Sequence, residues 1–161
     1  MSIAIGDKMP DGQFTVMGAD GPEAIPTDAL FGGKKVVLFC VPGAFTPTCS
    51  QRHLPGYVQN ATALKAAGAD TIACMAVNDV FVMAAWGQAA VVGDDVLMLA
   101  DGNGEYARAL GLELDASGFG MGNRGQRFSL IIDNGIVEQL NIEPPGEFGA
   151  SSAEAALQQL G

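Results

Sequence analysis

KVVLFCVPGAFTPTCS, residues 35–50, joins a strongly apolar run to a segment rich in proline and threonine. The run from Val36 to Val41 is uninterrupted, which is the pattern of a central strand covered on both faces. We therefore predict a strand over Lys35 to Val41. Because Pro47 suits the first position of a helix, the same stretch predicts that a helix begins shortly after this strand ends.

The predicted helix places Cys49 close to its N-terminus. With Thr46 as N-cap and Pro47 at the first helical position, Cys49 is the third helical residue. Unsatisfied backbone N–H groups and the positive end of the helix dipole favour an anion there, and hence a thiolate. We expect the Thr46 hydroxyl to accept from the Cys49 amide and to donate to its sulfur. We interpret Cys49 as a reactive nucleophile; the alternative is an ordinary cysteine in a first helical turn.

The other two cysteines lie inside predicted strands. Cys40 and Cys74 are surrounded by apolar residues, where a free cysteine behaves as a small buried hydrophobe with an inert thiol. Three cysteines are an odd number, and no two form a C-x-x-C pair. A disulfide framework is therefore not expected, and free thiols in a reducing compartment are.

Outward from residues 35–50, further apolar runs predict four more strands: Asp70 to Val77, Val96 to Ala100, Arg127 to Asp133, and Ile136 to Ile142. The residues Asp133-Asn134-Gly135 between the last two runs are typical of a tight hairpin, so those strands should be antiparallel. An earlier hairpin is expected around Met17 to Gly21.

Helices are predicted at Pro47 to Ala67, Asp79 to Gln88, Gly104 to Leu110, and Ser151 to Leu160. Pro55 lies inside the first of these and should kink or divide it. The alternation of strands and helices predicts an α/β fold of the thioredoxin-like kind, with a mixed central sheet flanked by helices. A chain of 161 residues fits a single domain over residues 1–161.

Charge and hydropathy exclude several classes of partner. Eight basic and eighteen acidic residues give a net charge of −10, which disfavours binding to nucleic acid or to an anionic membrane surface. The longest apolar runs are too short to cross a bilayer. The start of the chain lacks the basic and apolar regions of a secretory signal, so we expect a cytoplasmic protein.

A thiolate alone does not make an enzyme. Lowering a thiol pKa from ~8.5 to ~6 raises the thiolate fraction at pH 7 only about thirtyfold, whereas enzymes accelerate reactions about a millionfold or more. Donors aimed at developing charge must supply the rest. Arg127 begins an apolar strand, and from that position its guanidinium could point at a helix N-terminus. A surface ion pair explains Arg127 equally well.

Three other patterns are weaker. Residues 120–125 satisfy G-x-G-x-x-G, but no strand precedes them and no helix follows, so a glycine-rich loop is favoured. Residues 101–105 resemble the start of a calcium loop, but Leu112 stands where glutamate is needed. His53, the only histidine, follows Cys49 by four residues; it is interpreted mainly as a packing or surface residue, with a supporting role at Cys49 as the alternative. No cofactor or metal is expected.

The motif Pro42-x-x-x-Thr46-x-x-Cys49 resembles the active-site signature of peroxiredoxins, and its surroundings resemble the peroxiredoxin-5 (type II, atypical) subfamily. The resemblance continues along most of the chain through residues 53–56, 77–82, 86, 99–101, 122–124, 127–129, 133–137 and 141–144. It implies a thioredoxin fold and a thiol-dependent peroxidase acting on hydrogen peroxide and alkyl hydroperoxides.

The resemblance also implies a role for each residue of the site. Cys49 would attack the hydroperoxide, Pro42 would shield the site from water, and Thr46 would orient the peroxide. Arg127 would stabilise the thiolate and the breaking oxygen–oxygen bond. Relatives form homodimers with Phe45 and the region of Phe81 near the contact, so a homodimer is expected.

One departure from the family concerns the second half of the cycle. Some relatives carry a resolving cysteine in the segment matching residues 146–152, and no cysteine follows Cys74 here. We therefore predict a 1-Cys cycle completed by an external thiol, with glutathione or glutaredoxin favoured over thioredoxin. A peroxide sensor or a holdase using the same cysteine is the alternative function, and a thiol–disulfide oxidoreductase is disfavoured because C-x-x-C is absent.

Overall fold

The computed structural model describes residues 1–161 and contains one seven-stranded sheet, one two-stranded sheet and five α-helices. The strands are β1 (Gln13–Gly18), β2 (Gly21–Pro26), β3 (Lys35–Cys40), β4 (Thr71–Ala76), β5 (Leu97–Ala100), β6 (Glu113–Asp115), β7 (Asn123–Gly125), β8 (Phe128–Asp133) and β9 (Ile136–Ile142). The helices are α1 (Thr27–Phe31), α2 (Leu54–Ala66), α3 (Val80–Ala89), α4 (Glu105–Leu110) and α5 (Ala153–Leu160).

The large sheet has the order β2-β1-β5-β4-β3-β8-β9 and is mixed, as predicted. Strands β3, β4 and β5 run parallel, while β1 and β8 pair antiparallel on either side of them. Both predicted hairpins are present, one joining β1 to β2 and one joining β8 to β9. At the second, Asn134 and Gly135 both have positive φ, 49° and 81°, as a tight two-residue hairpin turn requires.

Each face of the sheet carries its own hydrophobic core. One core lies under α2, α3 and α5 and includes Phe39, Tyr57 and Trp86. The other lies under α1, α4 and the N-terminal segment and includes Phe14, Leu38 and Phe128. Burial on both faces explains why the central strands are uninterrupted apolar runs. No helix of the fold has the length and apolar composition needed to cross a membrane.

The long helix predicted from Pro47 is divided. Residues 47 and 48 are α-helical, Cys49–His53 forms a π-helical turn, and α2 continues from Leu54. The Leu54 N–H donates to the carbonyl of Cys49, five residues back, which is the π-type bond. Pro55 at the start of α2 has no N–H to donate to the preceding turn, and the change of helix type occurs beside it.

Two features of the fold were not predicted. Helix α1 has only five residues, and β6 and β7 have three residues each. Elements this short contain too few residues to show a hydrophobic period, so pattern analysis does not detect them. The β6–β7 arm is nevertheless important, because the loop between its strands forms part of a pocket wall.

Candidate active site

The site lies at the end of the sheet where the central strands β3 and β4 terminate. Because β8 runs antiparallel to β3, the start of β8 reaches the same end, and Cys40 pairs with Phe128 in the register. Arg127, one residue before β8, therefore lies beside the loop that leaves β3 toward Cys49. The predicted placement of Arg127 at this end of the sheet is what the structure shows.

Arg127 contacts the sulfur of Cys49 directly. Its Nη2 donates a hydrogen bond to Cys49 Sγ at 3.0 Å. Cys49 is completely buried among residues of the core under α2. The sulfur is thus shielded from water on most sides and faces a guanidinium, and at this distance the positive charge stabilises negative charge on the sulfur.

Thr46 forms a different hydrogen bond from the one expected. Its hydroxyl donates to the carbonyl of Gly43 at 2.7 Å, so its proton is not directed at the sulfur and its side chain does not cap the Cys49 amide. The helix instead begins with the carbonyl of Thr46 accepting from Ser50 N at 2.9 Å. With its proton engaged, the Thr46 hydroxyl oxygen retains free lone pairs as an acceptor.

The loop from Pro42 to Thr46 is held by hydrogen bonds within the loop and to the residue after β4. The Ala44 N–H donates to the side-chain carbonyl of Asn78, just beyond β4, at 2.9 Å. Phe45 has a positive φ of 64°, which is unusual for a bulky residue and marks a tight turn fixed by its surroundings. Pro42 is half-buried and lines the same pocket as Arg127. The backbone before Cys49 is therefore held in one conformation.

His53 contacts Arg127 and not the sulfur. Arg127 Nη1 lies 2.8 Å from His53 Nδ1, and His53 Nε2 lies 2.9 Å from the carbonyl oxygen of Ser151. A carbonyl can only accept, so Nε2 carries the proton and Nδ1 accepts from the guanidinium. Burial, with the charge of Arg127 adding to it, lowers the pKa of His53 to about 3. The imidazole is neutral and orients the arginine, which is the supporting role that sequence analysis held as the alternative.

Glu143 anchors the segment that supports His53. Its Oε2 accepts from Gly149 N at 2.8 Å and from both the N–H and the hydroxyl of Ser151 at 2.7 Å. The carbonyl of Ser151 in turn accepts from His53 and from the Tyr57 hydroxyl. Burial works to raise the pKa of Glu143, but the hydrogen bonds from Ser151, Gly149 and Ala150 together outweigh it and hold the pKa below its usual value.

Sequence analysis missed Glu143 and Ser151 as parts of the site. They are separated from Cys49 by about a hundred residues, and neither type of residue in its local sequence suggests catalysis. The one available signal was that residues 141–144 belong to the family-like segments. Only the approach of the loop after β9 to the helix of Cys49 gives these residues a function.

A pocket of about 400 Å³ opens onto Arg127. It is bounded on one side by the loop between β6 and β7 and on the other by residues 143–148. Its lining residues are Pro42, Thr48, Arg52, Leu114, Ala116, Phe119, Met121, Gln126, Arg127, Glu143, Pro144, Pro145, Gly146, Glu147 and Phe148. The pocket combines apolar side chains with two guanidinium groups, and one of these, Arg127, donates to Cys49 Sγ.

Cys40 and Cys74 are buried free thiols, as predicted. Burial raises the pKa of both well above the ordinary value. Cys40 belongs to the core on the opposite face of the sheet from Cys49. Backbone covers it closely, since a Cβ added at Gly125 would lie only 2.6 Å from Cys40 Sγ. Cys74 faces the same core as Cys49 but lies within β4.

Comparison with known proteins identifies the family of the chain. The redoxin family model matches residues 4–157. The chain is 51% identical to peroxiredoxin-2E-2, chloroplastic, of Oryza sativa subsp. japonica, over 99% of this chain and 73% of that protein. It is 50% identical to peroxiredoxin-2C of the same organism, over 98% of each.

Solved structures give the same result. Reduced Prx3 of Vibrio vulnificus in complex with hydrogen peroxide superposes with a TM-score of 0.95 at 52% identity, covering 99% of each chain. Peroxiredoxin 5 of Alvinella pompejana superposes with a TM-score of 0.86 at 37% identity, covering 98% of this chain and 97% of the other. The predicted thioredoxin-like fold is confirmed.

The chain therefore belongs to the redoxin family and, within it, to the peroxiredoxins. Its activity is that of this class, a thiol-dependent reduction of peroxides. The likeness to the peroxiredoxin-5 type, which the motif around Cys49 indicated, is confirmed.

Proposed function

We propose that Cys49 is the nucleophile of this peroxidase and that Arg127, Thr46 and Pro42 complete its site. The observation that carries the proposal is the 3.0 Å hydrogen bond from Arg127 Nη2 to Cys49 Sγ, made by an arginine that also lines a pocket of about 400 Å³. The other side-chain contact of Arg127, His53, is neutral and does not compensate the positive charge of the guanidinium. When the reaction moves negative charge from the Cys49 sulfur to the peroxide oxygen, that charge stays close to the Arg127 guanidinium.

The peroxide step follows from this arrangement. The Cys49 thiolate attacks the terminal oxygen of a hydroperoxide, the sulfur–oxygen bond forms, and the oxygen–oxygen bond breaks. Sulfur is oxidised by two electrons to a sulfenic acid, and the leaving alkoxide or hydroxide takes up a proton to become alcohol or water. Arg127 stabilises the leaving oxygen, the Thr46 oxygen accepts from the peroxide O–H, and Pro42 limits the access of water.

The resolving step uses an external thiol in this proposal. Cys40 and Cys74 are fully buried strand residues, and neither reaches Cys49 without local unfolding of the sheet. We infer a 1-Cys cycle with glutathione or glutaredoxin as the reductant, ahead of thioredoxin. The sulfenic acid would then persist until a thiol arrives, which makes it sensitive to overoxidation at high peroxide concentration.

Substrate range is proposed from the pocket. Hydrogen peroxide needs little space, whereas a pocket of about 400 Å³ with Leu114, Phe119 and Met121 on its walls also admits alkyl hydroperoxides. We propose that both classes are substrates and that the apolar walls contribute affinity only for the second.

Assembly and location complete the proposal. Phe45 and Phe81 are 53% and 65% exposed, unusual for large aromatic side chains, and Phe45 is packed against Trp86 with ring centroids 6.4 Å apart. We propose a homodimer formed through this surface by a single-domain chain of the cytoplasm. Its net charge of −10 disfavours contact with nucleic acid or membrane.

Replacing both Cys40 and Cys74 by serine tests the 1-Cys cycle. With glutathione and glutaredoxin supplied, the doubly substituted protein should turn over at close to the wild-type rate, because no step requires either thiol. The measurement is steady-state consumption of hydrogen peroxide, with circular dichroism to check folding. A folded double variant that stops after one equivalent of peroxide would show that an internal thiol resolves Cys49.

The same assay separates the enzyme from the alternative of a peroxide sensor or holdase. A peroxidase consumes many equivalents of peroxide per chain with thiol present, whereas a sensor stops near one. Cys49→Ser serves as the control and should consume none. Wild-type protein that stops near one equivalent with glutathione, glutaredoxin and thioredoxin each supplied would overturn the enzymatic proposal.

A further inference from the structure

Arg52, three residues after Cys49, lies at the rim of the pocket of about 400 Å³ that Arg127 also lines. Its side chain is exposed and borders both this pocket and an adjoining hollow bounded by Pro55 and Gly149. The Arg52 Cζ lies 4.7 Å from the centroid of the Phe148 ring, a cation–π contact that holds one face of the guanidinium. The edge of the guanidinium, which carries the N–H donors, is left free.

Arg52 is unusual among the eight basic residues of the chain. Four of the others form ion pairs with carboxylates, and the remaining three donate hydrogen bonds to protein atoms. Those seven are Lys8, Lys35, Lys65 and Arg108 in ion pairs, and Lys34, Arg124 and Arg127 in hydrogen bonds. Arg52 alone has neither kind of polar partner, in a chain where acidic residues outnumber basic ones by more than two to one.

The carboxylates near the pocket do not neutralise Arg52. Glu143 directs its oxygen at the amides and hydroxyl of the loop that it anchors. Glu147 lines the same pocket and Glu154 lines the adjoining hollow, but neither is within ion-pair distance of Arg52. The pocket therefore has a fixed cation at its rim whose donors point to no protein group.

We propose that Arg52 binds a carboxylate of the molecule that enters this pocket. The inference rests on the proposed function, because that molecule is either a hydroperoxide bearing a carboxylate or the thiol that reduces the Cys49 sulfenic acid. A guanidinium held by one face presents two N–H groups in the geometry that fits a carboxylate. The carboxylate stays at the rim while the reacting oxygen or sulfur reaches Cys49 below.

If the reducing thiol carries the carboxylate (the thiol arm of the proposal), two reactions follow. A thiol RSH attacks the Cys49 sulfenic acid, a mixed disulfide forms and water leaves. A second RSH attacks the mixed disulfide, which releases RSSR and returns the Cys49 thiol. Both attacks place a thiol substituent in the pocket, so a carboxylate on that substituent lies within reach of the rim.

The first experiment compares small thiols on the preoxidised protein. Rates of sulfenic acid reduction are measured by stopped flow with mercaptoacetate, 2-mercaptoethanol and cysteamine, for wild type and Arg52→Gln. The substitution should slow the anionic mercaptoacetate about three- to tenfold, leave neutral 2-mercaptoethanol unchanged and not slow cationic cysteamine. Differences in thiol acidity cancel because each thiol is compared with itself.

The second experiment addresses the hydroperoxide arm. Rates of Cys49 oxidation are measured with a fatty acid hydroperoxide, with its methyl ester, and with hydrogen peroxide. If the carboxylate comes from this substrate, Arg52→Gln slows the free acid selectively. In either arm the selective loss should shrink at high ionic strength, because exposed charges are screened.

Lys65→Gln is the matched control. It removes the same single charge, but Lys65 lies near the far end of α2, about 20 Å along the helix, and pairs with Asp95. A general change in net charge would affect both variants equally. Phe148→Leu tests the support of the guanidinium and should give a smaller selective loss.

The outcomes are distinct. Selective loss for the carboxylate-bearing molecule in one arm or both, absent from Lys65→Gln, supports the proposal and identifies the source of the carboxylate. Equal rates of wild type and Arg52→Gln in both arms overturn it. Failure of the underlying function is separate, since wild-type protein would then form no sulfenic acid with any of the peroxides.

Discussion

A line of four hydrogen-bonded polar groups ends at the Cys49 sulfur. Glu143 holds Ser151, the Ser151 carbonyl accepts from His53, His53 accepts from Arg127, and Arg127 donates to Cys49. Two nitrogens of the Arg127 guanidinium each have a defined acceptor, His53 Nδ1 and Cys49 Sγ, and together these two bonds fix its orientation. In the proposed mechanism, this fixed arginine stabilises negative charge on the sulfur first and on the leaving oxygen later.

Arg127→Met tests the role of the guanidinium. The substitution removes the donor to the sulfur while retaining an unbranched apolar stem, and we expect the peroxide step to slow about 10²- to 10³-fold. Stopped-flow oxidation by hydrogen peroxide gives the rate, and alkylation confirms that the thiol is still present. Arg108→Met is the control, because Arg108 pairs with Glu113 away from the site. A near-normal rate would remove Arg127 from the mechanism.

His53 predicts a pH dependence of stability. Its pKa is lowered to about 3 in the folded chain and is ~6.5 when unfolded, so below pH ~6.5 the unfolded chain binds a proton that the folded chain does not. Stability is therefore fully present above pH ~6.5 and should fall by about 1.4 kcal/mol per pH unit below it. Urea unfolding between pH 7 and pH 5 measures this slope.

Because His53 is the only histidine, the assignment can be checked directly. Its ring resonances in the folded protein should not titrate between pH 8 and pH 5. His53→Asn should flatten the stability slope over the same range. A folded-state titration near pH 6.5 would contradict the neutral, buried imidazole described here.

At the scale of elements, the helix of Cys49 is two pieces joined by a π-helical turn. Cys49 begins that turn and His53 ends it, four residues later. Cys49 and His53 therefore contact the two terminal nitrogens of the same guanidinium: Cys49 Sγ accepts from Arg127 Nη2, and His53 Nδ1 accepts from Arg127 Nη1. On the adjacent side, Trp86 Nε1 of α3 donates to Ser50 Oγ at 3.0 Å, which ties this turn to the next helix.

Glu143→Gln tests the loop that follows β9. The amide keeps the shape of the carboxylate but loses its charge, so hydrogen bonds from Gly149 and Ser151 weaken, and we expect a loss of about 1–3 kcal/mol in unfolding free energy. Denaturant unfolding at pH 7 measures it. Glu147→Gln, an exposed position in the same loop, is the control and should change little. Equal stability of the two variants would contradict the anchoring role.

The pKa of Glu143 sets the pH range in which its carboxylate stops contributing to the free energy of unfolding. Since that pKa is held below its ordinary value, the carboxylate stabilises the fold above pH ~4.3, and the contribution is lost as pH falls further. The acid limb of the wild type below pH ~4.3 should therefore be shallower in Glu143→Gln. This range lies below the one used for His53, so the two groups are separable.

At the scale of the whole molecule, two cores on one sheet produce a site at the strand ends. The central strands are covered on both faces, so their ends are where polar backbone and side chains can gather. The exposed side chains of Phe45 and Phe81 each follow the end of a central strand, β3 and β4, by five residues. The proposed dimer surface therefore lies at the same end of the sheet as the candidate site.

Phe81→Glu tests the dimer. A charge placed in an apolar contact loses its hydration, so we expect a shift from dimer to monomer at micromolar concentration. Sedimentation or light scattering gives the mass. Ile5→Glu, at an exposed apolar residue in the N-terminal segment, is the control and should remain dimeric. Wild-type protein that is monomeric at these concentrations would contradict the proposed assembly.

The order of strands and helices, both hairpins and the burial of Cys40 and Cys74 could be read from the sequence, because periodicity and turn residues are local properties. Cys49 was identified in the same way, from its place after a strand and near Pro47. The exact bonding of Thr46 could not be, since a hydroxyl chooses among nearby acceptors by geometry. The short β6–β7 arm was likewise invisible to any local pattern.

Residues 35–50 by themselves predicted a buried strand and a helix start with Cys49 in its first turn, because an apolar run followed by a proline-marked helix start is encoded locally. The class of fold was predicted from the order of strands and helices along the whole chain. Only the tertiary structure decided which arginine faces that sulfur, that His53 orients it, that Glu143 and Ser151 support His53, and that Arg52 is left without a partner. Those relations depend on antiparallel pairing of β8 with β3 and on the return of the chain after β9. Contacts between residues separated by some eighty or a hundred positions are set by packing, which no local pattern records.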